Sequence, residues 1–279
     1  MSYAQSTATV DGMAHSHMAQ MAQMLDLDAE VLHDYHRELI TWAGSLVPPQ
    51  PRIIDLGAGT GTGSLALARH LPDAQVTAVD VDEEMLAHVR RRAQDAGLGE
   101  RIRTVQADLD QPWPDLGPAD LVWASASLHH MADPAETLSR VFATLRPGGV
   151  LLATEVDSFP LFLSGTPDAA LEERAHAVLA EARTEAGLHM HEDWGSHAAK
   201  AGFVVEDVRR TDIDLRPPLP AATGRYAEVS LGRMPHRLEG RLDPADLAAF
   251  ERVAAGIADR GDLTVRTTRT VFLARRPRA

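Results

Sequence analysis

Arg52-Ile53-Ile54-Asp55-Leu56-Gly57-Ala58-Gly59-Thr60-Gly61-Thr62-Gly63 runs from a short apolar strand straight into a turn that places glycine at every second position. The helical pattern that follows passes through Leu65 and Leu67 to about His70. A strand, a glycine turn and a helix open a parallel α/β unit that takes a ligand at the turn, but several ligands suit it. A phosphate-gripping loop would end in Gly-Lys-Ser/Thr, and no lysine lies in or near this turn. A dinucleotide fingerprint starting at Gly57 needs glycine or alanine five residues on, where Thr62 stands. The frame starting at Gly61 matches formally but begins too far past the strand to make the tight turn.

Outward from the turn, strands and helices alternate. Gln75 to Asp80 reads as a second strand, followed by a helix carrying Met85, Leu86, Val89 and Ala93. Ile102 to Val105 and Asp120 to Ala124 read as the third and fourth strands. Asp133-Pro134 opens a helix with Leu138, Val141, Phe142 and Leu145 on one face, an acidic cap before a first-turn proline. Arg146-Pro147-Gly148-Gly149 stops it, and Val150 to Glu155 is a fifth strand. This rhythm predicts right-handed crossovers and a parallel sheet covered on both faces.

The flanks read differently. Residues 1 to about 20 are rich in Met, Ala, Gln and His, with little to anchor them. Leu32, Tyr35, Leu39, Trp42 and Leu46 form one apolar helix face, ended by Pro48-Pro49-Gln50-Pro51. Beyond Asp157, Pro167 to Ala186 reads as a helix with Leu171, Ala175, Val178, Leu179 and Ala182 inward. Phe203 to Val208 is a sixth strand, Arg216 to Pro220 leads into a helical insert ending near Gly261, and Leu263 to Arg275 is the last strand. The organisation expected is an N-terminal helical cap over 1–48, a ligand-binding core over 49–157, and a C-terminal part over 158–279 with cap inserts at about 158–200 and 216–262.

Composition narrows the function classes. The 279 residues contain no cysteine, which excludes disulfides, thiolate metal sites and a cysteine nucleophile. A net charge of −13 argues against nucleic acid, whose phosphates call for a basic face, and Arg90-Arg91-Arg92 reads as a solvated cluster. No apolar run is long enough to cross a bilayer and the first residues carry no secretory pattern, so a cytoplasmic protein without a membrane partner is expected.

With these residues in hand, the stretch from Ile53 to Glu155 resembles the class I S-adenosylmethionine-dependent methyltransferases, in particular their small-molecule branch. The resemblance rests on Asp55-Leu56-Gly57-Ala58-Gly59-Thr60-Gly61, Asp80 and Gln106-Ala107-Asp108-Leu109. It implies a Rossmann-like, seven-stranded, mostly parallel α/β sheet with helices on both faces, an added helical cap and an antiparallel arrangement of the last strands. It also implies S-adenosylmethionine as cofactor. Asp55, Gly57, Ala58, Gly59 and Gly61 would let the backbone approach the methionine portion, and Asp80 would take the ribose hydroxyls. Val81 and Met85 would flank the adenine, while Asp108 and Leu109 would meet its polar edge. The chemistry is coherent: one carboxylate can accept from both hydroxyls of a diol, and a cofactor without phosphates needs no lysine.

The fourth strand runs into Ser125-Ala126-Ser127-Leu128-His129-His130, which resembles the family's Leu-His-His segment beside the sulfonium. Ser125 is expected at the cofactor, and His129 or His130 as the group that removes a proton from the acceptor. One histidine of the pair can instead pack or cap the next helix. The nucleic-acid amino-methylating branch carries Asp/Asn-Pro-Pro-Tyr/Phe at this point, which is absent here. Missing cysteines also disfavour arsenic methylation and thiolate-assisted methylation of pyrimidines.

His189-Met190-His191-Glu192-Asp193 offers metal-ligand types but reads better as the loop before a short helix, so no metal is expected. His33 and His36 flank Tyr35, and one of them would face the pocket if that helix covers it. The reaction expected is methyl transfer to an O, N or C atom of a small organic acceptor, in a setting such as specialised metabolism; a homodimer is compatible with it. Two alternatives stand beside it: a cofactor-bound elimination or ring-forming step, and a catalytically silent adaptor of the same fold.

Overall fold

The computed structural model describes residues 19–278. The reading of an unanchored start therefore lies, up to residue 18, outside the described residues. Helix α1 covers residues 19–31 and α2 covers His33–Leu46. Seven strands follow in one sheet: β1 Arg52–Leu56, β2 Gln75–Asp80, β3 Ile102–Gln106, β4 Ala119–Ser125, β5 Leu145–Leu161, β6 Val204–Leu215 and β7 Val265–Arg275. Their order is β3-β2-β1-β4-β5-β7-β6. The pairs from β3 through β5 are parallel, and β7 runs antiparallel to both β5 and β6. The expected architecture is thus present.

The order places a topological switch between β1 and β4. The chain winds outward from β1 to β3 and then returns to β4 on the other side of β1. The crevice this leaves beyond the carboxyl ends of those strands is where open α/β sheets bind ligands.

Strand alternation divides the core. Ile53, Val76, Leu121, Trp123 and Leu152 point to one face, where they meet α2, α3 (Thr62–His70) and α4 (Glu83–Asp95). Ile54, Leu56, Val79, Val122 and Leu151 point to the other, covered by α5 (Pro134–Thr144) and α7 (Trp194–Lys200). Period-two burial on both faces is what a doubly covered parallel sheet requires. Asp133 caps α5 by accepting from the Glu136 N–H at 3.0 Å, with Pro134 in the first turn, as its sequence predicts.

A third core lies above the carboxyl end of the sheet. It joins Leu27 and Val31 of α1 to Phe162, to Leu179 of α6 (Ala169–Glu185), to Tyr226 of α8 (Thr223–Gly232) and to Phe250 of α10 (Pro244–Ala255). Between α8 and α10 lies the short α9 (Pro235–Leu238). Within residues 158–200, α6 joins this upper layer, whereas α7 packs on the sheet through Trp194 and Ala198.

Two strands outrun their sequence reading. β5 starts at Leu145, opposite Ala119, and continues to Leu161, opposite Arg266. β6 continues through the polar run Arg209–Asp214 because it is an edge strand paired only with β7. Its polar side chains bond across the pair: Thr268 donates to Asp212 at 2.8 Å. Among the described residues no helix is long and apolar enough to cross a membrane.

Candidate active site

The glycine turn is held by the end of β2. The N–H groups of Gly57 and Ala58 both donate to the Val79 carbonyl, at 2.9 and 3.0 Å. Gly57 has φ +67°, and a Cβ there would fall 2.5 Å from the Ser127 Cβ, so both conformation and space demand glycine. Gly59, at φ +53°, aims its N–H at the Asp80 carboxylate, 2.8 Å away. The other Asp80 oxygen accepts from the Asp82 N–H at 3.0 Å. Each oxygen keeps a further acceptor position, so the carboxylate can still receive two donors side by side. Gly61 caps α3.

The remaining residues named for the cofactor divide by exposure. Val81 is 62% exposed just past β2, and Asp108 is exposed just past β3, accepting from the Asp110 N–H at 3.0 Å. Met85 and Leu109 are buried beside them. Ala107 donates to the Asp80 carbonyl at 2.9 Å, which ties the two strand ends together. Ser125 is half-buried at the end of β4. Asp55 is withdrawn beneath the turn, where it accepts from the Ser64 hydroxyl at 2.6 Å and so fastens α3 to β1. Burial, with Asp80 adding to it, pushes its carboxyl up to about 6.

Helix α1 lies over this turn. Leu25 would meet a Cβ on Gly59 at 3.3 Å. Arg92 links the two elements, donating to Asp26 at 2.8 Å and to the Thr60 carbonyl at 2.9 Å. The arginine cluster read as solvated thus has one working member. Arg90 and Arg91 stay on the exposed side, with Glu83 and His88 respectively.

Beyond β4 the chain makes one tight helical turn, Leu128–His130. Ser127 anchors it by donating to the Leu56 carbonyl at 2.7 Å. Glu155, buried in β5, accepts from the N–H groups of Ser127 and Leu128 at 3.2 and 2.9 Å on one oxygen. Its other oxygen lies 2.5 Å from Nδ1 of buried His129. A carboxylate partner makes Nδ1 the donor, which leaves Nε2 as the second nitrogen. His130, exposed at the residue level, stacks on His129 with centroids 4.1 Å apart; partial desolvation of its ring and His129 lower its pKa.

Both histidines and Ala126 border a cavity of about 310 Å³ between the sheet and the upper layer. On its wall lies an ionic network that sequence reading missed. Asp28 of α1 accepts from Arg269 of β7 at 2.8 Å and from the Tyr226 hydroxyl at 2.5 Å, with His36 Nε2 at 3.5 Å. Burial opposes charge on Asp28, but Arg269 and the His36 and Tyr226 contacts outweigh it and hold the carboxyl well below the usual range. Tyr35 bonds to Thr154 at 2.6 Å, and burial pushes its hydroxyl up to about 12. Glu155 was also missed as a partner; its one signal is an acid ending an apolar strand.

The other histidines take quiet roles. Glu192 bridges His189 and His197 at 3.0 and 2.9 Å, and Asp193 caps α7. His33 is exposed beside Asp34. His36 reaches the cavity wall only through Asp28.

Sheet order and crevice together define a class I methyltransferase fold. Residues 53–149 match the model of the methyltransferase domain family. A 27-O-demethylrifamycin SV methyltransferase of Amycolatopsis mediterranei (strain S699) is 28% identical over 63% of this chain and 62% of its own length. A trans-aconitate 2-methyltransferase of Variovorax paradoxus (strain S110) is 34% identical over 46% of this chain and 49% of its own. The chain therefore spans less than two thirds of the length of these curated relatives. Among solved structures, the [4+2]-cyclase SpnF superposes with a TM-score of 0.55 at 23% identity, covering 87% of this chain and 81% of that one. A geranyl diphosphate C-methyltransferase of Streptomyces coelicolor A3(2) gives 0.53 at 15%, covering 88% and 79%. Residues 53–149 thus match a methyltransferase domain, and the chain is similar to class I S-adenosylmethionine-dependent methyltransferases.

Proposed function

We propose that this chain transfers a methyl group from S-adenosylmethionine to an O, N or C atom of a small organic molecule seated in the cavity beside His129 and His130. The observation that supports this best is Asp80, whose carboxylate is oriented by two backbone N–H groups and keeps two acceptor positions for a ribose diol. Gly57, Ala58, Gly59 and Gly61 would give the donor close backbone approach. Val81 and Met85 would flank its adenine, Asp108 and Leu109 would meet the ring's edge, and Ser125 would border its reacting end. Asp55 would act indirectly, by fastening α3 and hence the turn.

When bound, the cofactor supplies an electrophilic methyl group on a sulfonium, open to in-line displacement. The protein's part is alignment, exclusion of water and, for a protic acceptor, removal of a proton. His129 is suited to take that proton, because Glu155 fixes its ring through Nδ1 and Nε2 is the nitrogen left to receive it. His130 would serve as the ring face stacked beside it. The upper layer, clamped by Asp28 and Arg92, would shield the reacting pair.

The two relatives are named for different acceptors, so their names do not choose one. Methyl-labelled S-adenosylmethionine, incubated with the protein and a panel of small acids, phenols and amines, should yield labelled product. Tight donor binding with label in no product would remove the transferase reading. It would leave the ring-forming or adaptor readings, and the likeness to a cyclase shows only that the fold is shared.

A further inference from the structure

The cavity has a charged wall that methyl transfer alone does not call for. Arg183 on α6, Arg233 just past α8 and Arg237 on α9 all line it. No carboxylate among the described residues pairs with any of the three. Arg183 is 8% exposed and lies over the Phe159 ring, 3.5 Å from its centroid. Among the described residues, the Arg233 guanidinium donates only to the sulfur atoms of Met21 and Met24, at 3.5 and 3.3 Å.

Arginines elsewhere on these same elements do find acids: Arg174 meets Asp246 at 2.8 Å, and Arg241 meets Glu185 at 2.7 Å. In a chain of net charge −13, three unpaired cations around one cavity are not a shortage of carboxylates. Burial and the mutual proximity of Arg183 and Arg237 push the Arg183 guanidinium down to about 10. Gathering like charges in a partly dry cavity costs free energy unless an anion completes it.

Two further groups point the same way. Among the described residues, His176 Nε2 and the Ser230 hydroxyl are buried on this wall without a hydrogen-bond partner. Burial and Arg183 lower the His176 pKa to about 4, so its ring is neutral at neutral pH. Buried polar atoms are normally hydrogen-bonded, so two left open on one cavity wall are positions a bound group can satisfy.

Building on the methyl-transfer reading, we propose that the acceptor carries an anionic group, a carboxylate or a phosphate, which Arg183, Arg233 and Arg237 receive with His176 and Ser230. Its apolar remainder would lie along Met24, Leu179 and Leu231 toward His129. Guanidinium forks match both kinds of oxyanion, and a positive donor opposite an anionic acceptor adds attraction across the cavity.

The test is titration of the full chain, saturated with S-adenosylhomocysteine, with 3-phenylpropanoate, 3-phenylpropyl phosphate and the uncharged 3-phenylpropanamide. At least one anion should bind about tenfold or more tightly than the amide, and whichever anion wins identifies the group. Arg183→Gln and Arg237→Gln should each shrink that preference, and the double variant should abolish it. Affinity for S-adenosylhomocysteine should stay within about twofold of the parent. The ligand-free Arg183→Gln protein should melt no lower than the parent, because a buried unpaired cation is removed. Equal or absent binding of all three probes, or a preference that survives in the double variant, would overturn the proposal. Loss of S-adenosylhomocysteine binding by the parent would instead overturn the methyl-transfer reading on which it rests.

Discussion

His129 and Glu155 stand 26 positions apart and meet at 2.5 Å, with two backbone N–H groups locking the carboxylate from its other side. A base held in this way should be sensitive to its partner. His129→Gln should lower kcat by about 10²-fold for an acceptor that must lose a proton, with KM for the methyl donor unchanged. Glu155→Gln should cost less and also leave donor KM unchanged; steady-state kinetics on both variants checks this. An undiminished kcat in His129→Gln would assign the proton to another group. Legibility at this scale follows distance along the chain. Gly57, Gly59 and Gly61 fall within one turn, and their spacing shows in the sequence. Glu155 is read there only as the end of a strand, because its partner becomes visible only once β4 and β5 lie side by side.

Helix α1 is the element whose place the sequence conceals most. Its anchor, Asp28, bonds to Arg269 from 241 positions away and to Tyr226 from 198. No local pattern links an acid near the start of the chain to a basic residue in the last strand. The β6 extension was hidden for another reason: one-sided pairing at the sheet edge leaves its residues polar, and their alternation resembles a loop. Asp28→Asn would leave Arg269 buried without its counter-charge, so a loss of about 3 kcal/mol is expected from urea denaturation. The same variant should loosen α1 over the glycine turn and raise amide exchange in residues 22–31. A change below about 0.5 kcal/mol would mean that the network does not hold the layers together.

At the scale of the molecule, buried carboxyls set the dependence of stability on pH. Burial raises Asp55 to about 6 and Glu172 to about 7; Glu172, on α6, accepts from the Phe162 and Leu163 N–H groups just past β5. Groups raised on folding stabilise most when protonated, so their contribution is lost as pH climbs through 6 and 7. Asp28 is lowered, so its contribution is present above the usual aspartate range and is lost in acid. Stability followed by thermal melting should therefore be highest near about pH 4, decline up to about pH 7 and level off above it, on the order of 2–3 kcal/mol for each raised group. Glu172→Gln should flatten the alkaline limb, and a parent profile that rises from pH 5 to 8 would refute the assignment. The parallel α/β sheet and the glycine turn were legible in the alternating pattern and the antiparallel last strands through the family resemblance, whereas the strand order emerges only in the folded sheet. The arginine wall was not legible either, because Arg183 sits on the same helix face as His176 and Leu179 and reads there as one break in an apolar stripe. The most direct test of the central claim is calorimetric titration of the parent protein and of Asp80→Ala with S-adenosylhomocysteine. One equivalent should bind the parent, and affinity should fall about tenfold or more in the variant. Undiminished binding by Asp80→Ala would contradict the site.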